Sequence, residues 1–487
     1  MKFTKEQVVL FQRLSGDRNP LHVDPDYARR TQFGQPVVYG ICGVIVALGQ
    51  WADGRAFRLR SIAADFRKPL YLDTEYRTET IEQAGVVTAK YWRGDTLQAK
   101  ITFVPELLDA RQDDTYKPSG FVARAEPADS LATSYHAERV AYTFDTSASR
   151  RMGSVLGLEF GQLSHGQLNA ILWSSYQVGM EYPGKQALFS ELKIKFDENP
   201  TCDEFVLEKV TGTFDDRMNE VTIAAKGSGV ESLSLRAFRR PRKVDYGIGD
   251  VAGALTGTSA RFDGKTVLVT GANRGFGAVL AKAFALQGAH VLINCRESGI
   301  SEAMDVRSQI EEAGARATLV TGDVASEKDC HDMVARIAAA NPGLDYLIHN
   351  AVPNFDLQAF LKHAPADLEQ SVSRVLAMTS HLTRECLPRL LPGARIIAIS
   401  SCTTKIPVPN FTHYISAKCA VEGLVRGLST EFQKLTFVIA RPPRMLTDQT
   451  NFAFDRNKPE QATDVAARLL DRLSRLDGNL NFHEIDL

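Results

Sequence analysis

The sequence predicts two α+β blocks built from one helix and an antiparallel meander, followed by an α/β domain with a doubly wound parallel sheet. Three observations predict this. An apolar helical run at 37–52 precedes strand-like stretches with a period near two, and the same order recurs from 164–180 onward. From residue 265 the pattern changes to short, continuously apolar strands alternating with helical runs. Two polar stretches rich in Gly, Pro or charge, 108–130 and 240–264, read as joints. They divide the chain into 1–107, 131–239 and 262–487.

In the first block, VVYGICGVIVALGQWA is followed by FRLRSIAADFRKPLY, DTEYRTETIE, VVTAKYW and TLQAKITFVP. In the second, SHGQLNAILWSSYQVGM is followed by ALFSELKIKF, EFVLEKVTGTF, EVTIAAKG and LSLRAFR. The shared order implies a duplicated unit, although the two sequences barely match. In the third block KTVLVTG, AHVLINC, ATLVTGD, LDYLIHNA, ARIIAISS and LTFVIARP are the strands.

The chain has 487 residues, 44% of them hydrophobic, and 57 Lys+Arg against 58 Asp+Glu. This balance excludes a general basic footprint for nucleic acid. No apolar run reaches the roughly 18 residues that span a bilayer. The start runs directly into an amphipathic helix, without the apolar core of a signal peptide. The seven cysteines are scattered and never spaced C-x-x-C, which argues against a disulfide framework or zinc site. The end, HEIDL, carries no S-K-L address. A cytoplasmic protein without membrane, nucleic-acid or metal partners is expected.

The first chemical constellation is GDRNPLH, residues 16–22. Asp17 and His22, five residues apart across a Gly and a Pro, can converge on one point, one group giving a proton while the other accepts one. A capped turn is the plainer reading. Phe11, Leu14, Ser15, Gly16, Asp17, Asn19, Pro20, Leu21, His22 and Ala28 fall on a pattern that resembles the signature of (R)-specific enoyl-CoA hydratases and MaoC-like dehydratases. The resemblance implies a hot-dog fold with Asp17 and His22 as catalytic pair. It also implies that Asn19 shapes the loop and that the Gly40 N–H holds a thioester oxygen at a helix N-terminus. The second block lacks this motif. Its His165 has no acid five residues before it and reads as a helix-start or core histidine. That block is expected to be the inactive half of a double hot dog, completing the sheet and one wall of an acyl tunnel. Arg67 and Lys68 face two readings, a carrier phosphate or a solvated strand edge.

The second constellation begins at TGANRGFG, residues 270–277, between a strand and a helix. Its G-x-x-x-G-x-G spacing resembles the short-chain dehydrogenase/reductase family. Asp323, Asn350, Ser401 and the Y-I-S-A-K run from Tyr414 to Lys418 follow in that family's order. The resemblance implies a Rossmann-type nucleotide site made by Gly271, Asn273, Arg274, Gly275, Gly277, Arg296, Asp323, Asn350, Tyr414 and Lys418. Tyr414 and Lys418 share a helix face. An ammonium beside the phenol is expected to lower its pKa, and Ser401 to bind the same carbonyl oxygen. Val375 stands where the family often has an asparagine, and Pro442-Pro443 replaces the usual Pro-Gly. The segment after Thr447 leaves little lid. Arg274 and Arg296 favour NADPH, while Glu297 weighs against it.

Together these readings imply reduction of a 3-oxoacyl thioester, on acyl carrier protein or coenzyme A, then dehydration to the 2-enoyl thioester. The reverse sequence, hydration then oxidation as in β-oxidation, and a scaffold with one dead domain are the alternatives. A homo-oligomer through the reductase block is compatible with the resemblance.

Overall fold

The first helix, α1 (Lys5–Ser15), begins where the sequence supplies a reciprocal cap. Thr4 accepts the Gln7 N–H while the Gln7 side chain accepts the Thr4 N–H. It ends at Gly16, whose φ of 68° suits glycine. The computed structural model describes residues 1–111, 120–198, 205–255, 260–353, 365–451, 458–476 and 480–487, with 355, 357, 359–363 and 478. They divide into two compact units, one of Met1–Arg242 and one that begins at Lys243.

In the first unit, α2 (Pro20–Val23) and α3 (Pro25–Ala28) are single turns started by prolines behind Asn19 and Asp24 caps. Helix α4 (Gly40–Ala52) is apolar all round and correspondingly buried. Strands β1 (Ala56–Phe66), β2 (Arg77–Gln83), β3 (Val86–Arg93) and β4 (Thr96–Leu108) follow. After short β5 (Ser134–Ala137), β6 (Val140–Ala141), α5 (Thr146–Ser149) and α6 (Met152–Leu156) comes α7 (His165–Tyr176), continued by a π-helical turn, Gln177–Glu181. Strands β7 (Ala187–Phe196), β8 (Val206–Asp215), β9 (Glu220–Gly227) and β10 (Val230–Arg239) complete the unit.

All of these strands join one 10-stranded sheet, in the order β2-β3-β4-β1-β7-β10-β9-β8-β5, with β6 beside β8. The two blocks meet at β1 and β7, which run antiparallel from Ser61 opposite Lys195 to Asp65 opposite Glu191. At this seam Ile62 faces Ile194 and Ala64 faces Leu192, all four buried. Each large side chain so covered contributes about 1.5–3 kcal/mol. One apolar cluster contains Leu48 and Phe57 of the first block together with Trp173 and Leu235 of the second.

The second unit holds a parallel sheet of seven strands. They are β11 (Thr266–Val269), β12 (His290–Cys295), β13 (Arg316–Thr321), β14 (Leu344–His349), β15 (Leu390–Ile399), β16 (Thr436–Arg441) and, after the two-residue pair β17 (Met445–Leu446) and β18 (Glu460–Gln461), β19 (Phe482–Asp486). The order is β13-β12-β11-β14-β15-β16-β19. Val267 and Val269 enter one core and Leu268 the other, because successive side chains leave a strand on opposite faces. Helices α9 (Gly275–Leu286), α10 (Ile300–Glu312) and α14 (Ala462–Ser474) cover the first face. Helices α11 (Glu327–Ala340), α12 (Pro365–Cys386) and α13 (Thr412–Glu431) cover the other.

The stretch 240–264 holds the boundary between the two units, as expected of a joint, but its described part is not irregular throughout. It contains α8 (Ile248–Ala254), and Tyr246 is built into the second unit. The Tyr246 hydroxyl bonds Leu446 O and Gln461, and the buried Lys282 ammonium donates to Tyr246 O. In the other joint, residues 112–119 lie outside the described residues, as does Cys202. Phe121 packs on Tyr142 and Tyr176.

A fragment of residues 1–242 is expected to fold as one soluble unit. Residues 1–111 alone would bare the β1 edge and the apolar face beside it, and should aggregate or pair β1 with a second copy. Light scattering after size exclusion checks this. A cooperatively folded monomer of 1–111 would refute the shared core.

Candidate active sites

The loop from Gly16 to Pro20 places Asp17 with 2% of its surface exposed. Its Oδ1 accepts the Asn19 N–H at 3.0 Å, and its Oδ2 accepts the Ser175 Oγ–H at 2.7 Å. Burial pushes the Asp17 carboxyl up to about 7, against the pull of the Ser175 and Asn19 hydrogen bonds. Asn19 fastens the loop to the second block, donating its side-chain amide to Gly179 O and Gly184 O at 3.2 and 3.1 Å.

His22 lies on α2 and its Nδ1 is 2.7 Å from Val37 O. A carbonyl only accepts, so Nδ1 carries the proton and Nε2 of the neutral ring keeps its lone pair. Burial lowers the His22 pKa to about 4; the Val37 carbonyl opposes this and the Arg240 charge adds to it. Tyr39 joins the two groups. Its ring stacks on His22 with centroids 3.8 Å apart, and its hydroxyl donates to Asp17 O at 2.7 Å. Gly40 opens α4 directly after Tyr39, and a side chain there would strike the Phe66 ring at 2.9 Å.

Sequence reasoning missed Ser175, Gly179 and Tyr39. Ser175 is 158 residues from Asp17 in the chain and sits in a helix with no motif of its own. A Cβ on Gly179 would stand 2.4 Å from Asp17 Oδ1, so only glycine lets the π-helical turn approach the carboxylate. His165 is the first residue of α7 and buried, in contact with the rings of Phe144 and Phe160. Arg67 pairs with Asp65 at 2.7 Å.

In the second unit, the turn after β11 lies where the strand order reverses, the usual ligand crevice of such sheets. Gly271 and Gly275 have φ of 61° and 55°. A Cβ on Gly277 would meet Gly271 O at 2.3 Å, so the turn and the α9 N-terminus form a close cradle suited to a pyrophosphate. Asn350 braces it, donating to Thr270 O and Gly271 O at 3.1 and 3.4 Å. Asn294, absent from the sequence reading, accepts the Gly271 N–H at 3.3 Å and donates to Val320 O and Gly322 O. Asn273 sits against Gly299, where a side chain would come within 2.8 Å of its amide. Arg274 immediately precedes α9, and Arg296, exposed, follows β12. Asp323 follows β13 and accepts the Ala325 N–H at 3.0 Å.

Ser401 follows β15, its Oγ 2.9 Å from Thr403 Oγ1. Tyr414 and Lys418 lie on α13, with the Lys418 Nζ 5.8 Å from the phenol ring centre. Phe355 and Phe411 stand edge-on to Tyr414. The expected lowering of the phenol does not occur. Burial holds Tyr414 above its ordinary pKa, with the Ser401 hydroxyl opposing, and the Lys418 ammonium donates to Ile399 O at 2.7 Å. Burial also brings Lys418 itself down to about 8, against the attraction of Glu422. Val375 is buried in the core beneath α12, and Pro442 O accepts the Cys402 N–H. Residues 452–457, where the short lid is expected, lie outside the described residues.

One turn beyond Lys418, Glu422 is fully engaged. It accepts from Arg441 at 2.8 and 2.6 Å, from Ser400 at 2.6 Å and from Thr404 at 3.0 Å. Arg441 also reaches Glu484 on β19 at 2.8 Å. Burial pushes the Glu422 carboxyl up, but the Arg441, Ser400 and Thr404 hydrogen bonds outweigh it and hold it at about 2. This network ties α13 to the ends of β15, β16 and β19. Among the described residues there is no cluster of metal-ligating side chains and no helix long and apolar enough to cross a membrane.

Residues 1–96 match the family model of the MaoC like domain, and residues 265–460 match that of short chain dehydrogenase. The chain therefore joins a MaoC-like domain to a short-chain dehydrogenase domain. Among curated proteins, a glucose 1-dehydrogenase of Gluconobacter oxydans is 34% identical over 176 residues, 35% of this chain and 65% of that protein. A 3beta-hydroxysteroid dehydrogenase 1 of Eggerthella lenta is 32% identical over 173 residues, again 35% and 65%. The matched relatives are thus spanned over between 58% and 65% of their length. A solved short chain dehydrogenase from Burkholderia cenocepacia, in complex with NADP, is 27% identical. It covers 47% of this chain and 97% of that chain, with a TM-score of 0.43.

Glu422 titrates near 2 in the folded chain, below the ordinary 4.5. Its stabilising contribution is complete above about 4.5 and disappears as pH falls toward 2. Glu422→Gln should destabilise the second unit by about 3 kcal/mol at pH 7, since it leaves the buried Arg441 charge poorly paired. The same variant should lose less stability than the wild type between pH 5 and 3, as read by thermal unfolding. Equal acid sensitivity of the two proteins would contradict this.

Proposed function

We propose that the chain is a bifunctional acyl-thioester enzyme that reduces a 3-oxoacyl thioester to the (R)-3-hydroxyacyl thioester and dehydrates it to the 2-enoyl thioester. We read residues 1–242 as paired hot-dog domains, the second without a catalytic motif. The observation that carries the reading is that Tyr39 joins Asp17 and His22, its hydroxyl on Asp17 O and its ring on His22, while burial holds the carboxyl near 7 and the imidazole near 4. At neutral pH the imidazole is free to accept a proton while much of the carboxyl still holds one.

In the dehydration, His22 Nε2 takes a proton from C2. Asp17 gives its proton to the departing C3 hydroxyl, the C3–O bond breaks, the C2=C3 bond forms, and water leaves. The Gly40 N–H, at the start of α4, holds the thioester oxygen on which charge gathers. Solvent then returns the proton from His22 to Asp17. The reaction needs one proton on the pair in either direction. Turnover should therefore fall below about pH 4, where His22 gains a proton, and above about pH 7, where Asp17 loses one.

For the reduction, the turn of Gly271, Gly275 and Gly277 would hold a nicotinamide cofactor, which when bound would supply the hydride for C3. Asn273, Asn350 and Asp323 line the same crevice. Ser401 orients the carbonyl oxygen and Tyr414 gives it a proton. The raised phenol is a weak acid until the site is filled, and Lys418, down to about 8, is positioned to restore that proton. The thioester rests on coenzyme A or acyl carrier protein.

Asp17→Asn or His22→Ala should lower dehydration by a factor of ~10²–10⁴ while reduction continues. Mass spectrometry of a 3-oxoacyl thioester panel with NADPH should then show a hydroxyacyl product, of (R) configuration. Tyr414→Phe should stop reduction yet still dehydrate an added hydroxyacyl thioester. An (S) product, or loss of both activities from either change, would defeat the proposal.

Guanidiniums at Arg274 and Arg296 suit a 2′-phosphate, so NADPH should bind better than NADH. Arg274→Ala should weaken NADPH binding in fluorescence titration while leaving NADH nearly unchanged. Equal loss for both would assign Arg274 no role in the choice.

A further inference from the structure

Asp17 belongs to the first block, yet the only side chain that bonds its carboxylate among the described residues comes from the second. Ser175 Oγ donates to Oδ2 at 2.7 Å, and the Gly179 backbone lies so close that a Cβ there would overlap both carboxylate oxygens. Three further bonds hold the two segments together. Asn19 donates to Gly179 O and Gly184 O, and the Arg18 N–H points at Met180 Sδ at 3.0 Å. Ser175 has no need of Asp17 to satisfy its hydroxyl. Its neighbour Ser174 donates to Ala170 O four residues back, the ordinary outlet for a helical serine. Ser175 forgoes that bond and turns toward the carboxylate, and the helix widens into a π-turn two residues later.

We propose that the second block is a working part of the dehydratase site, in which Ser175 is a positioning residue that orients the Asp17 carboxyl and sets the pH at which it gives up its proton. This rests on the reading of Asp17 as the acid of the dehydration. A donor to a carboxylate favours the ionised form, so Ser175 counteracts the desolvation of Asp17 and keeps the acid near neutrality. The other titratable groups around Asp17 do not mimic this effect. Tyr39 at the start of α4 is held well above its ordinary value by burial and stays protonated. His22 on α2 is neutral above about 4. Glu181, the charged side chain of the α7 and π-turn segment, is paired with Arg124 and takes the Tyr176 hydroxyl. Arg18, next in the loop, is exposed.

The test is the pH dependence of kcat/KM for dehydration of (R)-3-hydroxybutyryl-coenzyme A by the full chain. In Ser175→Ala the alkaline limb should move up by about one pH unit, since the carboxyl keeps its proton longer, while the plateau falls several-fold. Ser175→Cys, of similar shape but a weaker donor, should move the limb in the same direction by less. Ser174→Ala removes an equally buried helix hydroxyl that does not touch Asp17, and should leave the limb in place. An unshifted limb in both Ser175 variants, or an equal shift in Ser174→Ala, overturns the proposal. Asp17→Asn separates the two levels of the argument. If it retains dehydration, the reading of Asp17 itself fails. If it abolishes dehydration and the Ser175 variants keep the wild-type limb, only the role of Ser175 fails.

Discussion

The antiparallel seam between β1 and β7 is the constraint on which the first unit depends. Five residue pairs, Ser61–Lys195 to Asp65–Glu191, turn two meanders into one sheet. Because side chains alternate, the same register that pairs the backbones sends Ile62, Ala64, Leu192 and Ile194 into a common core. A slip of one residue would leave one strand's pair facing the core and turn the other strand's pair away from it. With the register set, α7 comes to lie against the Gly16–Pro20 loop, and the buried carboxyl of Asp17 meets Ser175 there. The second block, which carries no catalytic motif, thus reaches the candidate site through packing.

The second unit solves a related problem with charge. Tyr414, Lys418 and Glu422 are spaced four apart on α13, so the helix presents them in one row. The last of the row is buried against Arg441, and the second bonds the Ile399 carbonyl. An arginine in the interior is tolerated because Glu422, Glu484 and Asp486 share its donors. The network runs through β19, so the final strand of the described chain braces the helix that carries the proposed acid. Burial is the dominant influence on Tyr414.

Much of this was legible in sequence because the groups concerned are close in the chain. Asp17 and His22 are separated by a single turn, Tyr414 and Lys418 by one helical turn, and the glycines of 271–277 by a tight loop. The strand-helix alternation after residue 265 likewise follows from local apolar periodicity. Within the joint at 240–264 the fixing of Tyr246 was not legible, since the glycines around it signal flexibility while its partners lie 36 to 216 positions away.

The sequence by itself determined which residue types could do acid-base and hydride chemistry, and the two domain types that bear them. Only the tertiary structure decided how those groups are tuned. The pKa of a carboxyl or phenol depends on what water it has lost and which donors replace it, and those neighbours come from anywhere in the chain. Ser175 at 158 residues' remove, Tyr39 stacked on His22 and Arg441 beneath α13 carry no local signature. Their positions follow from sheet register and helix packing, which are settled only when the whole core closes.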